Sequence, residues 1–371
     1  MKNIESRRYA WSDSVKGIAI CGVVMIHSGG ASMPGILGVL GDAGKYGVQL
    51  FFLLSGFLAY SSLNNFYTRQ DISISPQHVY TWWLKKIIKL APLYYIAVIV
   101  ALLVEGTGGR YWLGSYEKVS FLNIVAHFLF LHGINPYYIN SIIGGEWYLA
   151  VLVLFFLLAP CLYKYINSLK RAGALFVFSA VAGYCLNRVM LGIVPVMDEY
   201  IWGEYIKVFW MPTQLPVLVL GIILYFLVND KNSIIIKKQG NRKLSYSILI
   251  CGLIMTVAQL YEIHALFKVS RFITWALCFF IIIISQVIYE SVVINNVIFK
   301  SIGRLSYPIY LFHLRLITIF EKYIQKGKEY GIGMWLMKYF IIMLGAYLIA
   351  YMLERFVDIP INKHIRKRFN L

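Results

Sequence analysis

The stretch EWYLAVLVLFFLLAPCLY, residues 146–163, decides the fold of this chain. It carries one charged side chain, Glu146, at its first position. An apolar run of this length matches the roughly 20 residues that a helix needs to cross a bilayer core about 30 Å thick. We therefore expect a membrane-spanning helix here.

Similar apolar runs recur along the whole chain, which has 371 residues, 59% of them hydrophobic and 14% charged. Soluble domains contain about 25% charged residues, and so few charged groups could not cover a water-facing surface of this size. The composition excludes a soluble globular protein. Because the connections between the runs are too short for a further folded domain, we predict an all-α, polytopic membrane helix bundle with a single membrane-embedded domain, residues 1–371.

Ten of these runs are long enough to cross a bilayer, and we predict that each forms a membrane-spanning helix. They lie at about residues 14–30, 45–62, 86–104, 146–163, 172–194, 207–228, 244–263, 271–290, 305–324 and 334–355. An eleventh apolar piece, residues 121–133, is short and contains His127 and His132, which favours a re-entrant or surface helix.

The distribution of Lys and Arg between the two ends of the spans indicates their orientation in the membrane. The chain has 35 Lys and Arg against 17 Asp and Glu, a net charge of +18. With ten spans, about 21 of the basic residues fall on one side of the membrane and about eight on the other, and the richer side is the cytoplasmic one. Both termini are therefore predicted to be cytoplasmic, and the charge gives no reason to expect nucleic acid as a partner.

The most informative polar groups lie in the first predicted span, WSDSVKGIAICGVVMIHSG, residues 11–29. An ionisable side chain inside a span costs a few kcal/mol on insertion scales, so each one is a functional candidate. Lys16 and His27 are separated by about 16.5 Å along a helix and by roughly 20° around it, and Asp13 lies on or near the same face. We expect these groups to line one shared tunnel for a long ligand with an anionic head and a reactive tail.

His27 is the candidate for proton transfer, because a neutral imidazole can accept a proton from a hydroxyl. The alternative for His27 is a hydrogen bond to a neighbouring helix or a position among lipid headgroups.

Lys86 and Lys89 lie three residues apart in VYTWWLKKIIKLAPLYY, residues 79–95. They could bind phosphates, or they could belong to an aromatic and basic belt at the membrane interface.

Four further residues are candidates for substrate binding. Arg315 lies near the middle of a predicted span with His313 close by, and it needs a buried carboxylate, a phosphate or a polar cavity. Glu146 and Trp147 lie in the glycine-rich segment INSIIGGEWYLA, residues 139–150, which could form a lid or an interface anchor. The five cysteines have no C-x-x-C or Cys/His spacing, so no metal site is expected.

Taken together, these segments resemble acyltransferase family 3 of integral membrane proteins, which transfer acetyl or longer acyl groups to extracellular glycans and other acceptors. The opening pattern of the family is matched by Asp13, by Lys16 followed by Gly17, and by His27 after ten intervening residues. The family often has Glu where this chain has Leu152. Further blocks follow in the family's order: GVQLFFLLSGFL (47–58), whose small residues also indicate close helix packing, the basic pair Lys86 and Lys89, HGINPYYINSIIGGEWYLAVLVLFFLLAP (132–160) and LSYPIYLFH (305–313).

The resemblance implies an enzyme that takes acyl-CoA, most simply acetyl-CoA, from the cytoplasm. The CoA phosphates would lie near Lys16, Lys86 and Lys89, and the thioester near the catalytic residues His27 and Asp13. Direct transfer and a transient acyl-histidine both fit.

The implied acceptor is a hydroxyl of a surface polysaccharide or of a lipid-linked glycan, and the implied location is the bacterial cytoplasmic membrane. The alternatives from other functional classes are a transporter or flippase of a lipid-linked glycan and a membrane pH sensor. A transporter would be expected to show two related halves with broken spans, and this sequence has no internal repeat.

Overall fold

The computed structural model describes residues 9–70, 72–108, 118–193, 199–262, 270–325 and 331–369. Within these ranges the chain forms helices and no strand, as the sequence predicts. The helices are α1 (Ala10–His27), α2 (Gly35–Ala43), α3 (Gly47–Gln70), α4 (Pro76–Glu105), α5 (Phe121–Phe128), α6 (Trp147–Tyr165), α7 (Leu169–Gly192), α8 (Glu199–Glu204), α9 (Met211–Asn229), α10 (Ile234–Lys237), α11 (Arg242–Leu260), α12 (Arg271–Ile288), α13 (Val297–Arg304), α14 (Ser306–Phe320), α15 (Ile332–Leu353) and α16 (Ile359–Phe369).

Each of the ten predicted spans coincides with one of these helices. Among the described residues, eight helical stretches are long and apolar enough to cross a membrane. The other two predicted spans are α1, whose polar side chains lower its hydropathy, and α14, which has only 15 residues before the π-helical turn Glu321–Gln325. The polytopic bundle is therefore confirmed. Residues 194 and 263, where two predicted spans end, and both chain termini lie outside the described residues.

The short apolar piece at 121–133 does not form a spanning helix. Helix α5 has eight residues, a length of about 12 Å, against a bilayer core of about 30 Å. From its end to Glu146 the chain runs through turns. Because this segment is too short to cross the membrane, it does not invert the direction of the later spans. The predicted cytoplasmic side of the protein depends on that direction.

Burial separates central helices from peripheral ones. In the most apolar window of Gly35–Thr68, which includes most of α3, 83% of the residues are buried, compared with 11% in the corresponding window of α7. Helix α3 packs along α9, where a β-carbon at Gly56 would collide with the Leu218 carbonyl oxygen, so the glycine permits the close packing predicted for residues 47–58. The exposed side of α7 carries large apolar side chains such as Phe178, which suits contact with lipid.

Helix α1 makes a similarly close contact with α13. A β-carbon at Gly17 would collide with the Phe299 carbonyl oxygen, and one at Gly303 would collide with the Asp13 carbonyl oxygen. Small residues allow membrane helices to approach this closely. The crossing places Arg304, the last residue of α13, beside Asp13.

This crossing can be tested with an added methyl group. Gly303→Ala is expected to destabilise the protein by about 1–3 kcal/mol, because the methyl has no room. The matched control is Gly173→Ala in α7, where a β-carbon meets no atom within 4 Å; it should be neutral or stabilising, since alanine favours the helix by roughly 0.5–1 kcal/mol. Thermal unfolding midpoints in one detergent measure both effects, and equal midpoints would contradict the close crossing.

Candidate active site

Two cavities lie along α1 and α14. The first, here called the lysine cavity, has a volume of about 370 Å³ and is lined by Lys16, Lys86 and Lys89. The second, the histidine cavity, has a volume of about 610 Å³ and is lined by His27. The sequence led us to expect one shared tunnel. Instead there are two cavities that share Tyr310 as a wall, and the Tyr310 hydroxyl donates a hydrogen bond to the Gly145 carbonyl oxygen.

The lysine cavity brings together the three predicted lysines and one cation that the sequence analysis missed, Arg304. Lys86 Nζ donates a hydrogen bond to Ser62 Oγ at 2.8 Å, while the Lys89 side chain is exposed. Arg304 was missed because only the packing of α13 on α1 brings it here. Among the described residues, four cations and three carboxylates line this cavity: Lys16, Lys86, Lys89, Arg304, Asp13, Glu354 and Asp358.

Asp13 lies in the lysine cavity, at the opposite end of α1 from His27. Its carboxylate is 3.4 Å from Lys16 Nζ and 3.7 Å from Arg304 Nε, and only 5% of the residue is exposed. The sequence predicts a catalytic role for Asp13. In the structure its carboxylate contacts two cations, Lys16 and Arg304, which it can orient.

His27 contacts His313 rather than a carboxylate. His27 Nδ1 lies 2.9 Å from His313 Nε2, and His313 Nδ1 lies 2.7 Å from the Tyr310 carbonyl oxygen. Because a carbonyl oxygen can only accept, His313 Nδ1 carries a proton, and a neutral His313 therefore accepts at Nε2 from His27 Nδ1. A neutral His27 is then left with an unprotonated Nε2.

This arrangement presents a base to the histidine cavity. The His27 side chain is exposed there, whereas His313 is fully buried behind it and lines neither cavity. His313, expected to bind substrate, is therefore placed to position His27. Tyr307, Tyr310 and His313 are spaced at intervals of three residues. This spacing could have indicated that they share one face of α14.

Arg315 has the carboxylate partner that the sequence could not name. Its guanidinium forms an ion pair with Glu105, at the end of α4, and donates hydrogen bonds to the carbonyl oxygens of Ile142 and Ile143 at 3.0 and 2.7 Å. Arg315 lines neither cavity. Its contacts indicate that it holds the segment before α6 in place.

Glu146 holds the same segment from the inside. Its carboxylate accepts hydrogen bonds from the backbone N–H groups of Ile142, Ile143 and Gly144 at 2.9, 3.1 and 2.6 Å. Gly144 and Gly145 line the histidine cavity, so the buried carboxylate fixes part of its wall. Trp147, the next residue along, lines the same cavity directly.

A buried histidine completes the surroundings of Glu146. His127 Nε2 lies 3.1 Å from Glu146 Oε1, and His127 Nδ1 lies 2.9 Å from the Asn123 carbonyl oxygen. The Asn123 carbonyl oxygen can only accept, so His127 Nδ1 carries a proton and Nε2 is the atom that pairs with the Glu146 carboxyl group. Burial penalises the charge of Glu146, and the contacts with His127 and with the three backbone N–H groups offset that penalty. The sequence shows these residues but not their contact.

Comparisons with known proteins identify the family of this chain. Residues 9–355 match the family described as an acyltransferase domain. Since the match covers nearly the whole chain, the chain belongs to acyltransferase family 3, which confirms the resemblance seen in its sequence. No solved structure matches the chain.

Two relatives come from Staphylococcus aureus. A protein of strain COL named "Putative O-acetyltransferase" is 24% identical over 383 residues, and "O-acetyltransferase OatA" of strain NCTC 8325 is 23% identical over 380 residues. Each alignment covers 96% of this chain and 58% of the relative. The chain thus spans less than two thirds of the length of these relatives.

Removing the buried carboxylate tests its structural role. Glu146→Gln is expected to cost roughly 3 kcal/mol of stability at neutral pH, because His127 and three backbone groups lose their charged partner. The control is Glu262→Gln, since Glu262 is exposed. Chemical unfolding in detergent measures the free energy of unfolding of both variants. An equally small loss in the two variants would contradict the structural role of the Glu146 carboxylate.

Proposed function

We propose that this protein is a membrane O-acyltransferase that moves an acyl group, most simply acetyl, from acyl-CoA to a hydroxyl of a glycan. The observation that carries the proposal is the contact of His27 with His313, which leaves Nε2 of a neutral His27 as a base at one cavity, next to a second cavity with four cations. Membership of an acyltransferase family and relatives named O-acetyltransferases support it.

The lysine cavity is the proposed donor site. Phosphate groups of CoA would be bound by Lys16, Lys86, Lys89 and Arg304, with Asp13 holding two of these cations in position. Lysine binds phosphate as a point charge rather than through a planar fork. Leu152 adds an apolar wall suited to the pantetheine arm, at the position where the family often has Glu.

The histidine cavity is the proposed acceptor site, and Tyr310 marks the boundary where the two substrates would meet. The hydroxyl oxygen attacks the thioester carbonyl carbon, a C–O bond forms and the C–S bond breaks. His27 Nε2 takes the hydroxyl proton, and CoA leaves as the thiolate or, after protonation, the thiol. The same lone pair could first accept the acyl group and form an acyl-histidine.

The proposed location is the bacterial cytoplasmic membrane, with both termini and the lysine cavity on the cytoplasmic side. This orientation follows from the distribution of Lys and Arg and would give the lysine cavity access to acyl-CoA. The acceptor would be a surface polysaccharide or its lipid-linked precursor, reached through the histidine cavity.

Loss of the imidazole tests the mechanism. With labelled acetyl-CoA and surface glycan fragments, His27→Ala should lower kcat by about 10²–10⁴-fold and leave the KM for acetyl-CoA nearly unchanged, because only proton or acyl transfer is removed. His313→Leu should lower kcat less, since the base remains but loses its orientation. The control is His364→Ala in α16, where the side chain is exposed.

Two results would overturn this mechanism. Wild-type turnover in His27→Ala would remove the histidine from it. If the wild type consumed no thioester but carried a lipid-linked sugar across the membrane of sealed vesicles, the protein would be a transporter instead.

Charge removal in the lysine cavity tests donor binding. Lys16→Gln and Lys86→Gln should each raise the KM for acetyl-CoA by about tenfold, the size of one hydrogen bond to a charged group. The KM for S-acetylpantetheine, which lacks the nucleotide phosphates, should stay the same. Lys170→Gln at an exposed site of α7 is the matched control. An equal loss for both donors would show that the lysines do not bind phosphate.

A further inference from the structure

Gln49 is a polar residue in the histidine cavity that the proposed mechanism does not use. It lies in the first turn of α3, is only 2% exposed, and lines the cavity together with His27. Its side-chain oxygen has no hydrogen-bond partner among the described residues. A buried amide oxygen without a partner costs free energy, so this oxygen calls for a ligand.

A relay of amides fixes the direction of this oxygen. Gln214 Nε2 donates to the Val208 carbonyl oxygen at 2.7 Å, which leaves Gln214 Oε1 as an acceptor. Gln49 Nε2 donates to Gln214 Oε1 at 3.3 Å. Turning the Gln49 amide over would set two oxygens against each other, so Oε1 is the atom left without a partner.

We infer that Gln49 Oε1 accepts a hydrogen bond from a second hydroxyl of the acceptor, beside the hydroxyl that is acylated. The inference rests on the proposed function. It names the acceptor class as a polyol with neighbouring hydroxyls, such as a sugar ring, in preference to an alcohol with one hydroxyl. An oxygen that can only accept also selects hydroxyl or amide donors over ether oxygens.

The specificity follows from what each group can do. His27 Nε2 takes the proton of the reacting hydroxyl, and Gln49 Oε1 binds its neighbour, so two contacts orient one ring. An acceptor with one hydroxyl would leave the buried oxygen unpaired. Sites built to bind a hydroxyl reject analogues that lack it for this reason.

Cyclohexane-1,2-diol and cyclohexanol form a matched pair of probes. With acetyl-CoA as donor, the wild type should use the diol with a kcat/KM about tenfold higher than cyclohexanol. Gln49→Met, which keeps the length and removes the acceptor atom, should bring this ratio close to one. Gln214→Met, outside the cavity, should lower the ratio partly, because the Gln49 amide is then free to turn. Gln259→Met is the control and should keep the wild-type ratio.

The outcomes separate this inference from the proposed function. A wild type that consumes thioester but shows no preference for the diol overturns the inference alone, as does a Gln49→Met variant that loses activity on both probes equally. In the second case Gln49 would only join α3 to α9. A wild type that acetylates neither probe nor any glycan fragment overturns the proposed function itself.

Discussion

Inside a bilayer, no water is available to satisfy polar groups, and this constraint governs every functional feature of the protein. Several buried charged groups here are tied to specific partners. Arg315 is bound to Glu105 and to two carbonyl oxygens, and Glu146 is bound to His127 and three backbone N–H groups. These networks hold the segment before α6, which is irregular backbone at the edge of a helical bundle.

The same constraint makes the exceptions informative. His27 and Gln49 line the histidine cavity, and His27 Nε2 and Gln49 Oε1 have no hydrogen-bond partner among the described residues. The side chains that contact them, His313 and Gln214, are each hydrogen-bonded to a backbone carbonyl oxygen. In each case an inner group with a partner orients an outer group, which is left for the proposed substrate. This is the physical basis of preorganisation, since the orientation is set before the substrate arrives.

Two cavities with a common wall suit the proposed reaction between substrates from opposite sides of a membrane. Tyr310 borders both cavities, and α1 carries Lys16 at one and His27 at the other. The glycine contacts of α1 with α13 and of α3 with α9 set the spacing between these helices, because backbones in direct contact leave little freedom to shift. Close packing at the centre of the bundle therefore supports the chemistry.

The amino-acid order alone predicted the helical bundle and the positions of ten spans, because apolar length and helical spacing are local properties. It also indicated the candidates Lys16, His27, Lys86 and Lys89. The partners of those residues could not be predicted in this way. Arg304 reaches Asp13, His313 reaches His27 and Glu105 reaches Arg315 only because helices distant in the chain cross, and no local pattern encodes which helices cross. Chain order thus fixed which polar groups enter the membrane, while three-dimensional packing decided which are neutralised by neighbours and which are left facing a cavity.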